Sequence, residues 1–355
     1  MRRCALCTAR LIVSTAALAL GHAAAAAEAP LFLDDSVLEV ELAAPLTTLH
    51  EARMDEEREE LPSTFVYTDA SGDAVTLPVK VKARGNFRRR ECGQAPLRLN
   101  FKKGGLGGTI FDGQDKLKLV RPCNKSPMFE QYVVHEYLAY RLYALLSDYH
   151  LRVRPLEVTY RDTDGGRNER TRFGFFIEDR HAMAARLGLA VVEEERIDYT
   201  DHEAWQIGVF ELFSFMIGSH DFSVRYSEEG DTCCHNSVPI AAGGLLKDVY
   251  MVPYDFDFSG LIDAKYAAPP PSLKIESVRD RHYKGRCHSP EQWQKLFDHF
   301  RARRDAAMAL YDDSPHLMSM TRSRTKRYLR DFYKLIDKPR RVKNFIYSTC
   351  FAVGG

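Results

Sequence analysis

Neither sign of charge dominates this chain: Lys and Arg number 50 against 49 Asp and Glu, a formal net charge of +1. Nothing therefore draws the whole surface towards nucleic acid or anionic lipid, and no nucleic-acid partner is expected. The sequence has no internal repeat and no long low-complexity segment. Beyond its first 27 residues it has no apolar run long enough to span a membrane. With 45% hydrophobic and 28% charged residues, a disordered tail protein, a collagen-like fibre and a polytopic membrane protein are excluded. Past residue 27 there is also no Cys-x-x-Cys pair. The adjacent Cys233-Cys234 cannot easily give two ligands to one tetrahedral zinc, so a zinc centre is not expected. What is present is 355 residues of ordinary globular composition, enough for two domains or one domain of two lobes.

Residues 1–27 read as a secretory signal peptide. Arg2, Arg3 and Arg10 make a basic start, Leu11 to Leu20 is apolar apart from Ser14 and Thr15, and Ala23 to Ala27 supplies small residues before Glu28. A retained membrane anchor would need about 20 strongly apolar residues, more than the Ala-rich stretch provides. Removal leaves 47 basic and 49 acidic residues, a mature chain near −2 that should be exported to the periplasm or exterior. Cys4 and Cys7 leave with it. Six cysteines remain, Cys92, Cys123, Cys233, Cys234, Cys287 and Cys350, and in an oxidising compartment an even number predicts disulfides among 15 connectivities. Cys92 and Cys123 flank adjacent predicted strands, so a Cys92–Cys123 bridge is expected.

The first half alternates in the manner of strands. Residues 31–43 read as an entry strand, and the acid-rich 51–60 as a solvated surface segment. Thr64 to Tyr67 and Val75 to Leu77 flank the turn Asp69 to Asp73; Leu77 to Ala83, Leu97 to Phe101 and Lys116 to Val120 continue the pattern. From Ser126 the apolar spacing becomes helical for about 20 residues, then two more strands are predicted at 156–160 and 172–177. Residues 31–180 thus predict an antiparallel sheet with one helix inserted. Ala204 to Gly218 is apolar nearly all round and predicts a buried helix. A short strand near 249–252, a Pro269-Pro270-Pro271 loop and helices at about 290–310 and 318–337 complete the second half.

Two places put acids where a core would not. Asp221 follows the most buried helix, and Tyr254-Asp255-Phe256-Asp257-Phe258 follows a strand, with His235-Asn236 between them. Such acids are expensive to desolvate unless paired or metal-bound. In this order they make a phosphoryl-transfer set: Asp221 to orient the acceptor hydroxyl, Asn236 with Asp255 or Asp257 to hold Mg²⁺. Each piece alone also fits a bland role, Asp221 as a turn cap, Asn236 as a turn residue, Asp255 and Asp257 on an exposed edge.

The order of short motifs makes the chain resemble the CotH-like kinase family over residues 79–262. Arg84-Gly85-Asn86-Phe87 is similar to that family's turn after a strand, and Pro96-Leu97-Arg98-Leu99-Asn100-Phe101 to its following basic strand. Phe173 to Glu178 resembles its Gly-x-Tyr-x-x-x-Glu segment, Gly218-Ser219-His220-Asp221 its catalytic Asp loop, and Pro253 to Asp257 its metal-binding motif. Gly93-Gln94-Ala95 stands where the family has lysines, and Asn236 lies 15 residues beyond Asp221. The resemblance implies an α+β, protein-kinase-like two-lobed fold, with an antiparallel-sheet N-lobe and one long helix over 28–180 and a mainly helical C-lobe over 181–355. It implies ATP and Mg²⁺ as cofactors, with Asp221 catalytic. Gly85, Asn86, Arg98, Lys118, Glu136 and Glu178 would contact the nucleotide, Lys118 pairing with Glu136 and residues 177–179 forming a hinge. Asn236, Asp255 and Asp257 would be the metal set, and the acceptor a protein or other hydroxyl. Lys116 shares the strand face of Lys118 and is the other candidate for that role. Little ATP exists outside the cell, which leaves the alternative of a non-catalytic envelope or assembly protein that binds a protein or glycan.

Residues 322–343 hold ten Lys or Arg against two acids, around a helical stripe of Tyr328, Leu329, Phe332, Tyr333, Leu335 and Ile336. This predicts a helix docked on the body with a basic outer face, or contact with an anionic surface.

Overall fold

The computed structural model describes residues 29–353. The predicted signal peptide, with Cys4 and Cys7, lies outside them. Strand β1 (Leu38–Ala44) turns its alternate side chains Leu38, Val40, Leu42 and Ala44 inward, and a short helix α1 (Leu46–Glu51) follows it. β2 (Leu61–Thr68) and β3 (Ala74–Ala83) form the expected hairpin. Its turn is closed by Asp69, whose Oδ1 accepts from the amides of Ser71 and Asp73. Helix α2 (Phe87–Glu91), β4 (Leu97–Phe101), β5 (Lys116–Val120) and the long helix α3 (Pro127–Ala144) come next, then β6 (Val153–Asp162) and β7 (Arg170–Ile177).

These seven strands close into a barrel in the order β1-β2-β3-β4-β5-β7-β6. The closure corrects the expected fold. In place of a two-lobed kinase-like fold with an antiparallel sheet, β1 runs parallel to β6, with Leu38 opposite Leu156 and Ala44 opposite Asp162. Joining the first strand to the sixth removes both free sheet edges and seals the inner face. That interior is aromatic: Phe111 stacks on Phe101 at 4.9 Å and meets Phe65 edge-on at 5.2 Å, all three buried beside Phe176.

Beyond β7, α4 (Arg180–Arg186) starts at Asp179, whose carboxylate caps the amides of His181 and Ala182. β8 (Ala190–Val191), helix α5 (Ala204–Ile217), β9 (Ser237–Ala241) and β10 (Tyr250–Pro253) follow, and β10-β9-β8 make a small second sheet. The chain ends in α6 (Pro290–Ala302), α7 (Arg304–Asp312), α8 (Ser319–Ile336) and α9 (Pro339–Val342), then one π-helical turn Lys343–Tyr347. α3 and α5 are buried along almost their whole length and share one large core with α6, α7 and α8. The apolar stripe of α8 is buried as the sequence predicts, which leaves Arg327, Arg330 and Lys334 on its outer face. The single helix expected over 290–310 is instead two, broken at Arg303, which donates to the carbonyls of Leu145 and His299.

Cys92 is bonded to Cys123, with Cα atoms 4.8 Å apart, as expected from the strands they flank. Cys287 is bonded to Cys350 (Cα separation 5.0 Å), and Cys233 pairs with Cys234. No helix among the described residues is long and apolar enough to cross a membrane.

Candidate active site

A cleft of about 440 Å³ opens between the outer face of β5 and the turn after β10. Strand alternation puts Leu117 and Leu119 in the barrel core and turns Lys118 outward into this cleft. The backbone leaving β3 brings Arg84. Gly85 follows at φ +81° with open space where a Cβ would be, so the left-handed conformation, not crowding, calls for glycine. β10 delivers Asp255, also left-handed at φ 59°, with its amide donating to Tyr140 Oη at 3.0 Å.

The electrostatics of the cleft are one-sided. Lys118 lies 5.3 Å from the centre of the Tyr254 ring and, among the described residues, has no carboxylate within ion-pair distance. Loss of bulk water pushes its pKa down to about 8, Arg84 pushes the same way, and Asp255 opposes. The Lys118 side chain is nonetheless open to the solvent of the cleft, so it is ringed by protein but reachable. Arg84 is depressed in the same sense by burial, and its Nε has no acceptor. Two cations thus face the cleft without counter-ions. Lys116 lines the cleft mouth on the same strand face.

Behind them lies a buried ionic layer. Glu136 on α3 receives Arg88 Nη1 at 3.3 Å, and this is a correction: its partner is Arg88 from α2, not Lys118. The same nitrogen stands 3.7 Å from Asp257, which also accepts from Tyr266 Oη at 3.0 Å. One guanidinium cannot offset the burial of two carboxyls. Burial raises the pKa of both, and the field of Asp255 adds to the rise on each. Asp255 therefore lines the cleft while Asp257 sits in the interior behind it.

Asp221 occupies the loop after α5, which ends at Gly218 in the left-handed conformation. His235 Nε2 stands 2.9 Å from Asp221 Oδ1, and Asn236 Nδ2 donates to the Asp221 carbonyl at 2.7 Å and to Oδ2 at 3.0 Å. The hydrogen bond to Asp221 raises the His235 pKa, so the ring is cationic to higher pH than usual. Lys284 Nζ braces the loop by donating to the carbonyls of Phe222 at 2.6 Å and His220 at 3.3 Å. A second cavity of about 390 Å³ opens beside Asp221, walled by Tyr226, His235, Lys284 and Phe351, and Ser227 borders both spaces.

The fold thus gathers Lys118, Glu136, Glu178 and Asp255 around one cleft and Asp221 beside the adjoining cavity. Glu178 is not free within it: Arg186 holds both its oxygens at 2.8 Å, and its amide donates to the Arg152 carbonyl. Gly85 and Asn86 are exposed at the rim. Arg98 does not join the cleft; Glu60 holds it at 3.0 Å on the barrel wall. Sequence reasoning named Arg84 and His235 without giving them a role, and missed Arg88 and Lys284. The signal for the two arginines was four-residue spacing across a predicted turn, and for His235 its place next to Asn236.

No known protein family matches the chain, and no curated protein does.

Among the described residues no group of three or more His, Cys, Asp or Glu side chains could hold a metal unaided. Mg²⁺ is commonly held by one or two carboxylates with substrate phosphates and water. Asp255 beside two uncompensated cations suits that arrangement, the cations taking phosphate oxygens. Asn236, which spends its amide nitrogen on Asp221, keeps its Oδ1 uncommitted.

Proposed function

We propose that the chain is an exported phosphotransferase that moves a phosphoryl group from ATP, held with Mg²⁺, to a hydroxyl of a protein or other acceptor. The observation that carries this reading is the pair of unpaired cations, Lys118 and Arg84, facing Asp255 across a cleft next to the Asp221–His235–Asn236 cluster. The resemblance to the CotH-like kinase family supports it through the site residues, not through the fold. The three disulfides suit an oxidising compartment.

Lys118 and Arg84 bind and orient the phosphate oxygens. Asp255, with Asn236 Oδ1, would hold Mg²⁺, which would supply charge neutralisation on those oxygens. Asp221, fixed at both oxygens by His235 and Asn236, accepts the proton of the acceptor hydroxyl. That oxygen bonds to the γ-phosphorus as the bond to the departing ADP oxygen breaks. His235, hydrogen-bonded to Oδ1, fixes the orientation of the Asp221 carboxylate.

Asp221→Asn should leave ATP binding nearly intact and lower turnover by about 10²–10⁴-fold. Asp255→Asn should weaken Mg²⁺-dependent nucleotide binding as well. Thermal shift with ATP and Mg²⁺, followed by phosphate transfer to a generic hydroxyl acceptor, reads both. No shift at millimolar ATP, or a folded Asp221→Asn protein with undiminished turnover, removes the proposal and favours a binding protein.

A further inference from the structure

Charge is segregated in this molecule. Residues 322–343 hold ten of the 47 basic residues of the mature chain and two of its 49 acids. That segment carries +8, while the remainder, with 37 basic and 47 acidic residues, carries −10. The helical period sorts the segment further. Tyr328, Leu329, Phe332 and Ile336 turn α8 into the core, so Arg327, Arg330 and Lys334, three and four residues apart, form one exposed row on the opposite face. At the helical rise this row is roughly 10 Å long. Lys338, Arg340 and Lys343, all exposed, follow at α9 and the turn after it.

The acids nearby are spent elsewhere. Asp337 is held by Arg301 at 3.0 Å and Arg304 at 2.6 Å, Asp263 by Arg324, and Asp312 by Lys326. Asp331 makes only a loose pair with Lys334 at 3.8 Å. Among the described residues, the side chains of Arg327, Arg330, Lys338, Arg340 and Lys343 have no hydrogen bond or ion pair. Like charges at three- and four-residue spacing repel along a helix. Beside them stands an aromatic ring that the core does not use: Phe345 is 42% exposed, and the Arg341 guanidinium lies 5.6 Å from its centre.

We infer that the outer face of α8 and α9 docks on an anionic lipid bilayer, the cations against headgroup phosphates and Phe345 in the interface. A plane of phosphates matches a row of cations along its whole length. The field that attracts this face repels the net-acidic remainder, so one orientation is selected. The exposed ring decides for a bilayer over a soluble polyanion, because only a bilayer has an apolar layer beneath its charges. The surface is separate from the cleft and does not depend on the proposed phosphotransfer.

The test is co-sedimentation of the purified mature chain with vesicles of phosphatidylcholine, alone or mixed with phosphatidylglycerol. Binding should require phosphatidylglycerol. It should be released as ionic strength rises from about 0.1 M to about 1 M, where the screening length falls from about 10 Å to about 3 Å. The triple variant Arg327→Gln, Arg330→Gln, Lys334→Gln should weaken binding about 10²-fold, at about fivefold per charge. Should it fold poorly, Lys338→Gln, Arg340→Gln, Lys343→Gln is the second set, with the same expectation. Phe345→Ala should weaken vesicle binding several-fold and leave any binding to polyglutamate, a soluble polyanion, unchanged. The inference falls if phosphatidylglycerol vesicles are bound no better than phosphatidylcholine, or if both charge variants keep the full affinity. It also falls if polyglutamate is bound as tightly as the vesicles and Phe345→Ala weakens neither, which would make the partner a soluble acidic polymer.

Discussion

The barrel interior and the layer between β5 and α3 are equally buried and built on opposite plans. Inside the barrel, Phe65, Phe101, Phe111 and Phe176 fill the space with no ionic group among them. Across the wall, Arg88, Glu136 and Asp257 are packed as tightly, with one guanidinium serving two acids. The first plan maximises stability, since aromatic burial carries no desolvation penalty. The second gives stability away, because buried charge is worth its cost only where something uses it. On the proposed function, the ionic layer backs the working cleft, and the barrel holds it in position.

The largest expected effect breaks the first plan. Phe111→Ala should cost about 3–5 kcal/mol in urea unfolding, yet nucleotide affinity per folded molecule should be unchanged; a loss of affinity in the folded fraction would mean the two regions are not separable. Lys118→Met reverses the pattern. Removing a cation beside Arg84 should leave Tm unchanged or raised, while ATP affinity, read by calorimetry, falls about 10- to 100-fold. The wild-type affinity should itself fade as pH rises through about 8, where Lys118 loses its proton. The smallest effect is a pH slope. Glu136 and Asp257 carry pKa values raised by burial, so the folded state binds protons that the unfolded chain has released above its ordinary carboxylate range. Their contribution is present at acid pH and lost as pH rises from about 4.5 towards neutrality. Stability, read by urea unfolding, should decline over that window, and Glu136→Gln should flatten the decline.

Much of this was legible where neighbours in sequence decide the outcome. Leu77, Val79 and Val81 alternate and are buried on one face of β3; the apolar surround of 204–217 is a buried helix; Cys92 and Cys123 flank paired strands and are bonded. Barrel closure was not legible. Leu38 to Leu42 announce a strand but not its partner, and the partner, β6, lies more than a hundred residues on and runs parallel. β9 was hidden by its length and by Pro239, which a central strand seldom carries. In the site, the acids could be found because Asp after an apolar run is conspicuous. The arginines could not: Arg84 and Arg88 look like solvated turn residues until α3 is packed behind them, and only then does Arg88 displace Lys118 as the partner of Glu136.

Phe351 is one wall of the cavity beside Asp221. It reaches that place because Cys350 is tied to Cys287 and because the Phe351 amide and carbonyl are stitched to Gly285 and Cys287 at 3.1 and 2.9 Å. Asp221 itself is made 130 residues earlier. A chain emerging from the ribosome therefore presents Asp221 long before the wall beside it exists, and that wall gains its covalent tie only where thiols oxidise. The cavity, in this sense, has a birth date and a condition: it is completed late in synthesis and fastened only where the surroundings oxidise thiols.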